Sequence, residues 1–151
     1  MRTLRVLFTL LALSVGLLAA ESPFNGTWKL NVAKSKLPPP AMKSETAYIV
    51  ADDNNFQMKD EFVDDKGQPL TVTYNAKFDG KDYPVTGDPN SDSISFQRVD
   101  ANTLKVTSKK AGKVVSTATV VVSKDGKTAT VVFVDSSQMQ PQSGTAVYDK
   151  Q

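Results

Sequence analysis

The sequence predicts an all-β fold: a single antiparallel up-and-down barrel of about eight to ten strands, with no substantial helix after the leader. Ten segments combine β-favouring residues with apolar side chains at alternate positions. Short turns rich in Gly, Asp and Asn join most of these segments, which favours a meander over a Greek key. Closure of the meander into a barrel removes strand edges that would otherwise promote aggregation.

Each expected strand follows from its own local pattern. The clearest one, 70–78, alternates over nine residues. The fifth is short, because Pro84 ends it or pushes it to a sheet edge. Three consecutive prolines at 38–40 exclude a helix through that segment. The expected strands are 24–32, 43–51, 56–63, 70–78, 81–83, 93–99, 103–109, 113–123, 127–135 and 144–150.

The first strand contains the only Trp of the chain. Alternation places Trp28, Leu30 and Val32 on one face. Gly26 permits a backbone conformation or a close approach that a side chain would block. Gly26 and Trp28 are therefore the predicted structural residues, and the alternative is that Trp28 is an ordinary core residue.

Residues 1–20 have the pattern of a Sec-type signal peptide: a cationic start, an apolar block and small residues at its exit. We expect cleavage after Ala20, which leaves one domain of residues 21–151 in the periplasm or outside the cell. Leu18 occupies a position where Ala is more usual, so an uncleaved N-terminal anchor is the alternative.

Cleavage would remove Arg2 and Arg5 from the 18 basic residues, so 16 would remain against 16 acidic residues. The neutral balance gives no charge argument for nucleic acid or an anionic membrane surface. The chain contains no Cys, so stability has to come from packing and sheet closure rather than disulfides. We expect a monomer without a stable membrane span after cleavage.

Residues 24–30, Phe-Asn-Gly-Thr-Trp-Lys-Leu, resemble the first-strand Gly-x-Trp signature of the calycins, which include the lipocalins and the fatty-acid-binding proteins. Segments 78–83, 123–128 and 147–150 fall where fatty-acid-binding proteins have hairpins and a Tyr-containing last strand. The chain after the leader also resembles small exported bacterial lipocalin-like proteins of uncharacterised function. The resemblance implies a closed barrel with Trp28 packed over one end and an internal cavity for an apolar ligand.

Arg98 is the only Arg after the leader, and it shares a strand face with Ile94 and Phe96. If that face points inward, the guanidinium offers donors to a carboxylate or another polar head group. Two alternatives remain open. Arg98 pairs internally, for instance with Asp60, or it lies at a strand end and reaches solvent.

Tyr148 is the partner that the resemblance implies for a polar head group, although Ala146 replaces the Arg that completes the carboxylate clamp of fatty-acid-binding proteins. Tyr74 and Tyr48 are further cavity candidates, and the alternative for each Tyr is packing with a hydrogen-bonded hydroxyl. The predicted ligand-binding residues are Arg98, Tyr148, Tyr74, Phe62 and Met58.

Catalysis is not expected, because the chain has neither His nor Cys and so lacks the commonest general base and thiolate nucleophile. Asp60 and Glu61 are adjacent and would point to opposite faces of a strand, so they do not form a glycosidase pair. The acidic loop 88–92 resembles a calcium loop, but Ser93 replaces its required Gly. We expect no cofactor and no metal.

Two functions remain. The first is an exported lipocalin-like protein that binds a small apolar or amphipathic ligand, such as a lipid, inside the barrel. The second is a structural or interaction protein of the cell envelope whose barrel is filled by its own side chains. Small residues at inward positions would leave room for a cavity, whereas the aromatic residues could fill it. Those small residues are Ala76, Ala118, Ala129 and Ala146.

Overall fold

The computed structural model describes residues 21–151, and the predicted signal peptide at 1–20 lies outside them. The described residues form a closed antiparallel barrel of ten strands, which confirms the predicted fold class. The strands are β1 (Gly26–Leu30), β2 (Ser44–Ala51), β3 (Asn55–Val63), β4 (Pro69–Lys77), β5 (Tyr83–Thr86), β6 (Ser93–Arg98), β7 (Thr103–Lys110), β8 (Lys113–Val122), β9 (Thr128–Asp135) and β10 (Gln142–Lys150).

Every strand pairs with its neighbours in sequence, and β1 closes the sheet by pairing with both β2 and β10. Trp28 accordingly lies opposite Ala47 on one side and Lys150 on the other. The up-and-down order gives the barrel two ends. The closed end contains residues 22–25 and the turns at 52–54, 99–102 and 123–127, and the mouth contains the turns at 64–68, 87–92, 111–112 and 136–141.

Trp28 packs at the closed end, where only 2% of its surface is exposed. Its indole Nε1 donates a hydrogen bond of 2.8 Å to the carbonyl oxygen of Phe24. The ammonium of Lys150 lies 5.3 Å from the Trp28 ring centroid on the other side. Gly26 has a φ of +122°, and a Cβ there would lie 2.6 Å from Lys150 Cε, so a glycine allows this approach.

An aromatic cluster around Phe56 occupies part of the closed half of the interior. The Phe56 ring stacks on Phe96 with 4.8 Å between the centroids. It meets Phe24 and Phe78 edge-on and lies nearly parallel to Tyr74. Such contacts contribute beyond the apolar area that they bury, so the cluster stabilises this half of the barrel.

Two local predictions were wrong. β5 continues through Pro84 rather than ending before it, because β5 pairs with only two residues of each neighbour and can tolerate a missing N–H. Val32 is 52% exposed in a one-turn 3₁₀ helix, Val32–Lys34, and does not extend the Trp28 face. Asn31 starts this turn, because its side-chain oxygen accepts a hydrogen bond from the Lys34 N–H.

Apart from that turn, residues 21–151 contain no helix, and accordingly none that is long and apolar enough to cross a membrane.

Candidate functional site

The barrel interior contains two adjoining compartments. An apolar compartment of about 200 Å³ lies beside the aromatic cluster, and a mouth compartment of about 360 Å³ lies nearer the mouth. Glu45, Ala118, Val131 and Tyr148 line both. The two spaces are therefore neighbours, and these four residues lie between them.

Small side chains create the apolar compartment. Ala47, Ala118 and Ala129 face inward from three different strands and leave space opposite the larger Phe96 and Leu104. An apolar cavity of about 150 Å³ is large enough to bind benzene. The compartment can therefore hold a small ring or a short alkyl chain.

The mouth compartment has a different chemistry, because four carboxyl residues line it: Glu45, Asp60, Asp88 and Asp135. Within residues 21–151, no Lys or Arg lines this space. The combination of acidic groups at the mouth and an apolar interior suits a molecule with one polar and one apolar end.

Glu45 and Asp60 are buried together at the inner side of the mouth, with 8% and 9% of their surfaces exposed. Strand register brings them together: Asp60 lies opposite Ala47, two residues after Glu45 on the same face. Sequence analysis singled out Asp60 but missed Glu45. The available signal was the spacing of two residues between Glu45, Ala47 and Ile49, which places all three on one face of the second strand.

Burial raises the pKa of Glu45, against the opposing effect of hydrogen bonds from Tyr148 and Asp60. Burial, followed by the charge of Glu45 and a hydrogen bond to it, raises the pKa of Asp60 to about 9. The pair of carboxyls therefore retains one proton at neutral pH. Asp60 Oδ1 has no hydrogen-bond partner although it is buried.

Tyr148 fixes one side of this pair, because its hydroxyl donates a hydrogen bond of 2.7 Å to Glu45 Oε2. Burial and then the charge of Glu45 raise the pKa of Tyr148 well above its usual value, so the hydroxyl keeps its proton. The Tyr74 hydroxyl lies deeper and donates to Met58 Sδ at 2.8 Å. Burial likewise raises the pKa of Tyr74.

Most of the predicted ligand-binding residues meet in this interior. Tyr148, Tyr74 and Met58 line the apolar compartment, and Phe62 lines the mouth compartment. Tyr48 does not belong with them, because it is 43% exposed on the outer surface.

Arg98 lines neither compartment. It lies at the closed end, where its guanidinium carbon is 4.2 Å from the Phe78 ring centroid. Its Nη2 donates a hydrogen bond of 3.1 Å to the carbonyl oxygen of Asp52. The internal pairing with Asp60 is absent, and the structure matches the alternative of a strand-end residue.

The part of the chain from residue 21 onward contains no group of three or more His, Cys, Asp or Glu side chains placed to hold a metal ion. The acidic loop is instead held by its own turn bonds. Asp88 Oδ1 accepts a hydrogen bond of 2.8 Å from the Asn90 N–H, and Asp88 Oδ2 accepts another from the Ser91 hydroxyl.

The fold and interior define a closed up-and-down barrel with an internal cavity. The sequence matches no protein-family model and no curated protein. Among solved structures, the barrel is similar to one described as EF1p2_mFAP2b bound to DFHBI, with a TM-score of 0.49 and 8% sequence identity over 85% of this chain and 94% of that chain. A likeness at this level does not extend to the ligand.

Proposed function

We propose that this protein binds a small apolar or amphipathic molecule inside its barrel. The observation that carries the proposal is the apolar compartment of about 200 Å³, which is not filled by side chains and adjoins the mouth compartment. We further propose that the chain is an exported calycin-like protein and acts by binding rather than catalysis. The signal-peptide pattern of residues 1–20 supports export, and the Gly-x-Trp segment at 24–30 supports the relation to calycins.

The apolar compartment forgoes packing contacts that larger side chains would make, and this supports a role for it. A barrel that served only as a structural element would gain stability from larger side chains at Ala47, Ala118 or Ala129.

Isothermal titration calorimetry with 1-octanol as the ligand tests the proposal. The alkyl chain matches the apolar compartment, so we expect saturable binding at one site. Ala118→Leu adds bulk where the compartments meet and should weaken binding by about tenfold or more. Thr117→Leu is the matched control, because residue 117 is exposed on the outer face of the same strand. The absence of saturable binding, or equal weakening by both substitutions, would favour the filled structural barrel.

A further inference from the structure

We propose that Glu45, Asp60 and Tyr148 form a head-group site for a cationic amphipath, namely a primary amine whose apolar body occupies the inner compartment. This inference rests on the proposed function, since the apolar compartment holds the body of the ligand. It adds the chemical class of the head group, and this class is opposite to the carboxylate of a fatty acid.

The first observation is an unused acceptor. Asp60 is 9% exposed and lines the mouth compartment, yet its Oδ1 has no hydrogen-bond donor among the described residues. A buried acceptor without a partner is costly, and a ligand that brings an N–H donor removes that cost. An ammonium carries three donors, so one head group can serve Asp60 and Glu45 together.

The second observation is the negative charge of the residues around Glu45 and Asp60. Asp88 and Asp135 also line the mouth compartment, which holds no Lys or Arg from residues 21–151. Their oxygens accept bonds from loop groups, such as the 2.8 Å bond from the Ser137 N–H to Asp135 Oδ1. They therefore add negative potential without competing for the ligand's donors, and this potential attracts a cation and repels a carboxylate.

The third observation is the fixed geometry of the pair. The Tyr148 hydroxyl holds Glu45 Oε2 at 2.7 Å, and the opposing β3 strand places Asp60 beside it. Glu45 lies between the apolar compartment and the mouth, because it lines both spaces, and Asp60 lines the mouth beside it. A primary amine with its alkyl chain directed inward would leave its ammonium between the two spaces, within reach of both acids.

A matched ligand series tests the inference: octylamine, 1-octanol and octanoate, each titrated by calorimetry at neutral pH. The three share one alkyl chain and differ in head-group charge. We expect octylamine to bind at least about tenfold more tightly than 1-octanol, and octanoate to bind most weakly. Asp60→Asn should reduce the ratio of octylamine to octanol affinity to about threefold or less, because Asn cannot ionise opposite an ammonium, while Glu45 still offers its charge. Glu45→Gln, as a second variant, should reduce it in the same direction.

Glu61→Gln is the control for a general loss of negative charge. Glu61 follows Asp60 on β3 but points outward, where its Oε1 lies 2.6 Å from Lys59 Nζ. The control should keep the octylamine preference. If 1-octanol binds and octylamine binds no better, or if Asp60→Asn retains the preference, the head-group assignment is wrong while the proposed function stands. If none of the three ligands binds, both fail.

Discussion

Replacing Asp60 with Asn should stabilise the barrel at neutral and alkaline pH. The folded-state pKa of Asp60 is raised from 3.8 to about 9, first by burial and then by the charge of Glu45. The folded protein therefore keeps a proton that the unfolded chain releases. Stability from this group is fully present below about pH 4 and is lost as the pH rises towards about 9. Asn has the shape of the protonated carboxyl and does not titrate.

The pKa difference sets the size of the effect. Each tenfold change in proton affinity is worth about 1.4 kcal/mol, so the difference between 3.8 and about 9 gives a ceiling of about 7 kcal/mol. Water in the adjoining mouth compartment relieves part of the cost of ionisation. We expect Asp60→Asn to raise the free energy of unfolding by about 2 to 3 kcal/mol at about pH 9, and by less than about 1 kcal/mol at about pH 4.

Urea titrations at several pH values, followed by the fluorescence of Trp28, measure this effect. The informative quantity is the difference between Asp60→Asn and wild type at each pH, because groups outside the Glu45–Asp60 pair titrate equally in both proteins. Glu61→Gln removes a carboxyl from the outer face of the same strand and should show a difference below about 0.5 kcal/mol throughout. A difference for Asp60→Asn that does not grow with pH, or a destabilised variant at pH 9, would refute a buried proton on Asp60.

Trp28→Ala should lower the free energy of unfolding by about 3 to 5 kcal/mol, because it empties the packed closed end. Circular dichroism with urea measures this, and a loss below about 1 kcal/mol would show that Trp28 does not seal the barrel. Arg98→Ala should leave 1-octanol affinity within about twofold of wild type while costing about 1 kcal/mol of stability through its lost contact with Phe78. An affinity loss of about tenfold would restore Arg98 to the ligand site.

Alternation and turn signals in the sequence were sufficient to predict ten strands and their up-and-down order. The segment 70–78 shows why, since each inward residue of β4 is separated from the next by one polar position. The fifth strand was predicted at 81–83, because Pro usually ends a strand. The observed β5 includes Pro84, which is tolerated because the strand has so few paired residues. A local sequence pattern does not show how many backbone hydrogen bonds a strand makes with its neighbours.

The candidate site was harder to predict, because alternation gives the face of a side chain but not its height along the barrel axis. Arg98 follows Ile94 and Phe96 on an inward face, yet β6 ends there and the guanidinium lies at the closed end. Glu45 stands near the start of β2, where a charged residue usually faces solvent. Only the register between β2 and β3 places it beside Asp60.

The buried acid pair links the stability of the barrel to its proposed ligand. A carboxyl without a role in binding would also give a stabilised Asn variant, because that gain follows from burial alone, but octylamine would then stabilise the variant and the wild type equally. A carboxyl that receives an ammonium costs stability in the empty protein and recovers it when the ligand binds. Asp60→Asn should therefore raise the stability of the empty barrel and reduce the additional stabilisation that octylamine gives relative to 1-octanol. The second change, and not the first, distinguishes a binding role for Asp60 from a structural one.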